Sequence, residues 1–163
     1  MLSLQGREPA LVLLTTNGKR IIYSRDDYQK QALKVAEILI KQGVKKKDFV
    51  AIIALNLPES FFVMLGIILA GAILVPINVP LIKAPGQKEL KPILKDCRPK
   101  LVLANECLSK YLQNINHLSF EEILKSNDAC FPVPKIEQQD NGLLIMPYTS
   151  GTTGGPKGVM LSK

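Results

Sequence analysis

Tryptophan is absent from the 163 residues, histidine occurs once (His117), and cysteine three times, at Cys97, Cys107 and Cys130. The thiols lie 10 and 23 positions apart with no Cys-x-x-Cys pair, so a zinc site would lack ligands. Reduced thiols in a cytoplasmic protein are the expectation. Arginine is scarce too. Of 21 basic residues only four are Arg (Arg7, Arg20, Arg25 and Arg98), and aromatics make up 6% of the chain. The formal net charge of +7 is therefore a lysine charge, without the bidentate or stacking side chains that read nucleic acid. The one cluster, Lys45-Lys46-Lys47, reads as a solvated turn after Gly43, and no nucleic-acid partner is expected. Met1 to Ala10 shows no basic segment leading into an apolar one, so no secretory signal is expected.

What is present is ordinary globular composition, 47% apolar and 21% charged, at a length suited to one domain. Asn17-Gly18 between two apolar runs, Ala10 to Thr15 and Lys19 to Tyr23, predicts a β-hairpin. Ser24 followed by Asp27 resembles a capping box, and Tyr28, Ala32, Val35, Ala36 and Leu39 continue at helical spacing until Gly43. Phe49 to Ala54 is a short continuous apolar run, which predicts a buried strand. Strand, helix and strand in succession suggest a parallel sheet.

Residues Ser60 to Ile82 carry no charge and are nominally long enough to span a bilayer. Gly71, Pro76, Asn78 and Pro80 fall in the second half, and Pro76 would break a membrane helix. The run is better divided into a helix from Pro58 to about Ala70 and a strand from Ala72 to Ile77, with no transmembrane segment. Gly86 to Cys97 is expected to be helical, with Pro92 near the first turn or at a kink. Leu101 to Ala104 predicts a strand, Ser119-Phe-Glu-Glu122 a helix start, residues 127–141 a polar surface connection, and Leu143 to Met146 a strand.

That last strand runs into Tyr148-Thr-Ser-Gly-Thr-Thr-Gly-Gly-Pro-Lys-Gly-Val-Met-Leu-Ser-Lys163. Four hydroxyl residues, four glycines and one lysine fall between Thr149 and Gly158. Glycine lets backbone N–H groups turn toward an anion, hydroxyls add donors, and Lys157 adds charge for phosphate oxygens. The segment is not a Walker A loop, because Pro156 stands where that pattern needs Gly. Composition alone leaves open a polyphosphate cradle or a flexible loop that binds nothing.

Tyr148 to Leu161 resembles the signature loop of the adenylate-forming, or AMP-binding, enzymes: acyl-CoA synthetases, nonribosomal-peptide adenylation domains and luciferases. Thr149 through Lys157 match position by position, with Gly155 in the variable slot. Leu69-Ala-Gly-Ala-Ile-Leu-Val-Pro-Ile-Asn78 resembles the family's upstream motif. Ile22-Tyr-Ser24, Gly43 to Ile52 and Glu89 to Asp96 fall in the expected order, so the resemblance covers nearly the whole chain. Lys163 stands where many relatives have His.

The resemblance implies an α/β fold, a mostly parallel sheet with flanking helices, forming the first part of the large N-terminal domain. Residues 1–163 would then be a single incomplete domain. It further implies a ligase that joins a carboxylic acid, a fatty acid being one candidate, to CoA through an acyl-adenylate, using ATP and Mg2+. Thr149, Ser150, Gly151, Thr152, Thr153, Gly154 and Lys157 would hold the ATP phosphates. The family's adenine, ribose and Mg2+ residues and its catalytic Lys lie downstream of this signature. The chain alone is accordingly expected to be inactive, with its catalytic residues unknown. A fatty acyl-AMP ligase feeding a carrier protein, an amino-acid adenylation domain, and a non-catalytic remnant are the alternatives.

Overall fold

A computed structural model describes residues 6–125, 142–150 and 155–162, with the side chain of Ser150 excepted. The chain opens with β1 (Pro9–Leu14) and β2 (Arg20–Ser24), an antiparallel pair with Val12 opposite Ile22. The expected Asn-Gly hairpin is present, but its turn is one residue longer than a two-residue loop. Thr15 N–H donates to Lys19 carbonyl at 2.9 Å, and Gly18, at φ +80°, carries the left-handed conformation. Asn17 instead accepts hydrogen bonds through Oδ1 from the Thr15 hydroxyl and, at 3.4 Å, from Lys19 N–H. This is the three-residue solution, in which one left-handed glycine closes the strands.

Helix α1 (Arg25–Lys41) starts at the capping box expected from Ser24 and Asp27. Asp27 N–H donates to Ser24 Oγ at 3.1 Å, and Ser24 N–H to Asp27 Oδ2 at 3.3 Å. Its buried stripe is Ala32, Val35, Ala36, Ile38 and Leu39. Gly43 (φ +82°) ends it, with Val44 N–H returning to the Leu39 carbonyl.

The long uncharged run divides as its prolines require, into α2 (Pro58–Leu69) and β4 (Ile73–Ile77). Pro58 occupies the first turn of α2, where a missing N–H costs nothing. No helix among the described residues is long and apolar enough to cross a membrane.

The central sheet has six strands in the order β10-β7-β4-β3-β5-β6. These are β3 (Phe49–Ile53), β4, β5 (Leu101–Ala104), β6 (Leu118–Ser119), β7 (Leu143–Ile145) and β10 (Leu161–Ser162). All neighbours are parallel except β10, which runs antiparallel to β7 at the edge. Strand alternation splits the core into two layers. Val50, Ile52, Leu74 and Leu103 face α1, α2 and α5 (Phe120–Lys125). Ala51, Ile53, Val75 and Val102 face α3 (Val79–Lys83) and α4 (Leu90–Cys97). The protein is thus an α/β sandwich with helices on both faces of a mostly parallel sheet.

One expected element is shorter than its sequence suggested. The helix anticipated from Gly86 begins only at Leu90, because Gly86 (φ +68°) and Gln87 (φ +48°) are left-handed within a 3-10 turn, Pro85–Gln87. Pro92 then falls in the first turn of α4. The anticipated connection 127–141 lies outside the described residues.

Candidate functional site

Ligands of open α/β sheets sit beyond the carboxyl ends of the strands, and the candidate segment leaves the sheet from that end of β7. Met146 N–H donates to the Leu74 carbonyl of β4 at 2.8 Å, which ties the exit to the neighbouring parallel strand. The chain then forms a hairpin of β8 (Tyr148–Ser150) and β9 (Pro156–Gly158) before returning as β10. Its register sets Tyr148 opposite Gly158, Thr149 opposite Lys157 and Ser150 opposite Pro156. Val159 N–H donates to the Pro147 carbonyl at 2.8 Å and closes the base.

Of the expected phosphate-binding residues, Thr149 and Lys157 are brought side by side, and both are exposed. Ser150 is placed by its backbone in the same ladder. Gly151, Thr152, Thr153 and Gly154 lie outside the described residues. One hydroxyl and one charge, Thr149 and Lys157, therefore stand exposed side by side at the hairpin.

The inward side of the hairpin is specified as closely. Tyr148 Oη donates to Asp96 Oδ2 of α4 at 2.5 Å. Burial first, and then the Asp96 acceptor, push the Tyr148 phenol far above its ordinary value, so it stays a donor across the neutral range. The adjacent Cys97 thiol is pushed up to about 11, chiefly by burial, and is no nucleophile at neutral pH. Gly158 makes room for this packing. A Cβ there would stand 3.1 Å from Met146 Sδ and 3.3 Å from Tyr148 Cζ.

Sequence reasoning missed both Asp96 and the hairpin geometry. Asp96 is 52 positions from Tyr148, and no local pattern announces a contact at that separation. A second polar clasp also went unseen: buried Asn105 accepts from Leu55 N–H through Oδ1 at 2.8 Å, and Ser60 Oγ donates to the Leu55 carbonyl at 2.6 Å. Together they fix the chain just past the carboxyl end of β3. Among the described residues, no three or more His, Cys, Asp and Glu side chains are grouped so that they could hold a metal ion.

Comparison with known proteins agrees with this architecture. A family model described as AMP-binding enzyme matches residues 4–163. A 4-coumarate–CoA ligase of Nicotiana tabacum is 29% identical over 166 residues, covering 91% of this chain and 29% of that protein. A long-chain-fatty-acid–CoA ligase of Rattus norvegicus is 33% identical over 171 residues, covering 89% of this chain and 23% of that protein. The chain thus spans less than a third of the length of these relatives. Among solved structures, an acyl-CoA synthetase of Brucella canis superposes with a TM-score of 0.81 at 21% identity, covering 98% of this chain and 31% of that one.

Proposed function

The chain belongs to the AMP-binding enzyme family, and from that premise we propose that its Thr149–Lys157 segment grips the β- and γ-phosphates of ATP during formation of an acyl-adenylate. In that reaction a carboxylate oxygen bonds to the α-phosphorus. The bond from that phosphorus to the β-phosphate bridging oxygen breaks, and pyrophosphate leaves with the electron pair. Charge grows on the departing oxygens, and donors already in place stabilise it without reorganisation. Thr149, Ser150, Thr152, Thr153 and Lys157 fill that role, with Gly151 and Gly154 opening the backbone for close approach.

The observation that carries the reading is the register of Thr149 against Lys157 just past the carboxyl end of β7. It folds the glycine- and threonine-rich segment back on itself with its one lysine beside its first hydroxyl. Mg2+ would accompany the nucleotide, though no three or more His, Cys, Asp and Glu side chains among the described residues are grouped to hold it. CoA is the acceptor we favour for the acyl group, in keeping with the CoA-ligase names of the tobacco and rat relatives. Residues 1–163 would be the incomplete first part of a larger catalytic domain, whose acid is a carboxylic acid of the aryl or fatty class.

Titrating the isotope-labelled chain with inorganic pyrophosphate tests the reading. The backbone amides of Thr149 and Lys157 should shift together and saturate with a dissociation constant near 1 mM by order of magnitude, about 4 kcal/mol of binding. Shifts confined to the other lysine-bearing faces, such as Lys30 and Lys34 on α1, would remove the assignment.

A further inference from the structure

Asp96 lies in the last turn of α4 and is exposed. A carboxylate there faces the negative end of the helix dipole, so the helix itself does not favour it. Its contact is made elsewhere, with the Tyr148 hydroxyl of β8 at 2.5 Å. On β8, successive side chains point to opposite faces, so the inward turn of Tyr148 dictates the outward turn of Thr149. Lys157 is opposite Thr149 in the ladder and shares its face. Gly158, opposite Tyr148, leaves free the space that the phenol ring and Met146 occupy.

We propose that Asp96 is a positioning residue: by accepting the Tyr148 hydroxyl it fixes the rotation of the β8–β9 hairpin, so that Thr149 and Lys157 are presented together to the polyphosphate. The purpose of this device rests on the phosphate reading above, whereas its mechanics rest on the geometry alone. Among the described residues, three hydrogen bonds stand out at the hairpin base. Two are backbone bonds, Met146 to Leu74 and Val159 to Pro147, and they fix where the hairpin starts. The third, Tyr148 to Asp96, ties the ladder itself to α4, where the Tyr148 hydroxyl also meets the Cys97 thiol. Thr149 and Lys157 are exposed, so core packing does not hold them, whereas Tyr148 on the opposite face is tethered to α4.

The test compares Asp96→Ala, Asp96→Asn and Tyr148→Phe in the 163-residue chain. Amide hydrogen exchange is followed residue by residue, and each protein is titrated with inorganic pyrophosphate. Asp96→Ala and Tyr148→Phe should speed exchange of the β8–β9 amides about tenfold while β3 and β4 keep their wild-type rates. Both should weaken pyrophosphate binding severalfold. Asp96→Asn keeps an acceptor oxygen and should restore exchange and binding to within about threefold of wild type. Unchanged hairpin exchange in Asp96→Ala and Tyr148→Phe would overturn the proposal. An Asn variant as loose as the Ala variant, or loosened hairpins that bind pyrophosphate as well as wild type, would also overturn it. A wild-type chain that binds no pyrophosphate, yet shows the expected exchange pattern, would sink the phosphate reading and leave Asp96 as the hairpin's anchor.

Discussion

Gly66 of α2 lies against Val35 of α1 so closely that a Cβ at position 66 would stand 2.5 Å from Val35 Cβ and 2.8 Å from the Ala32 carbonyl oxygen. Helices α1 and α2, which share one face of the sheet with α5, therefore touch backbone to side chain. Gly66→Ala would gain about 1 kcal/mol of helix propensity. Overpacking against a buried valine and a backbone carbonyl costs more, about 1–3 kcal/mol. A net loss of about 1 kcal/mol in urea unfolding is expected, and a more stable Ala variant would show that the helices can part freely.

The helix starts give a second stability prediction. Ser24 supplies the cap of α1, and replacing it by Ala should cost about 1 kcal/mol. The effect should appear as a lower urea midpoint with an unchanged slope. No change in midpoint would mean that the cap is replaced by water.

At α5 the same device carries a pH dependence. Ser119 N–H donates to Glu122 Oε2 at 2.9 Å, and Glu122 N–H to Ser119 Oγ at 3.0 Å. Those bonds from Ser119 hold the Glu122 carboxyl below its ordinary value of 4.5. A depressed value in the folded state means that stability is fully present above the unfolded value and is lost as pH falls through the folded one. Glu122→Gln should therefore lower stability above about pH 4.5 and flatten its fall below that pH. Identical acid limbs in the two proteins would contradict the capping role.

The thiols separate by burial. Cys97 is buried with its thiol pushed up to about 11, whereas Cys107 is exposed. Alkylation of the native chain near pH 8, read by peptide mass, should modify Cys107 and spare Cys97 until urea unfolds the protein. Rapid native labelling of Cys97 would show that the α4–hairpin contact opens.

The parts of this fold legible in the sequence are those written in neighbouring residues. Ser24 with Asp27, Gly43, Pro58 and the run Phe49 to Ala54 each specify a local backbone state, and the structure agrees, with β3 covering Phe49–Ile53 of that run. The uncharged run gave up its helix–strand division because Gly71 and Pro76 cannot continue a helix. What stayed hidden depends on distant partners. Helix α3 has five residues, too few for a period to show. Strand β6 has two, defined only by Leu118 and Ser119 pairing with Leu103 and Ala104. The short strands β8 and β9 are polar and show no alternation, and β9 carries Gly158, so the sequence pattern there is that of a loop. The site's chemistry was legible as a motif because hydroxyls, glycines and a lysine cluster within ten positions of one another. Its anchoring by Asp96 was not.

The most direct test of the central claim is a lysine footprint. The chain is treated with an amine-modifying reagent with and without about 10 mM pyrophosphate, and modification is read for each lysine by mass. With a dissociation constant of about 1 mM, reaction at Lys157 should slow roughly tenfold, while exposed Lys45 and Lys95 keep their rates. Added salt should erode the protection, since exposed charge attraction is screened. Equal rates at Lys157 with and without pyrophosphate would contradict the assignment of this hairpin as the phosphate grip.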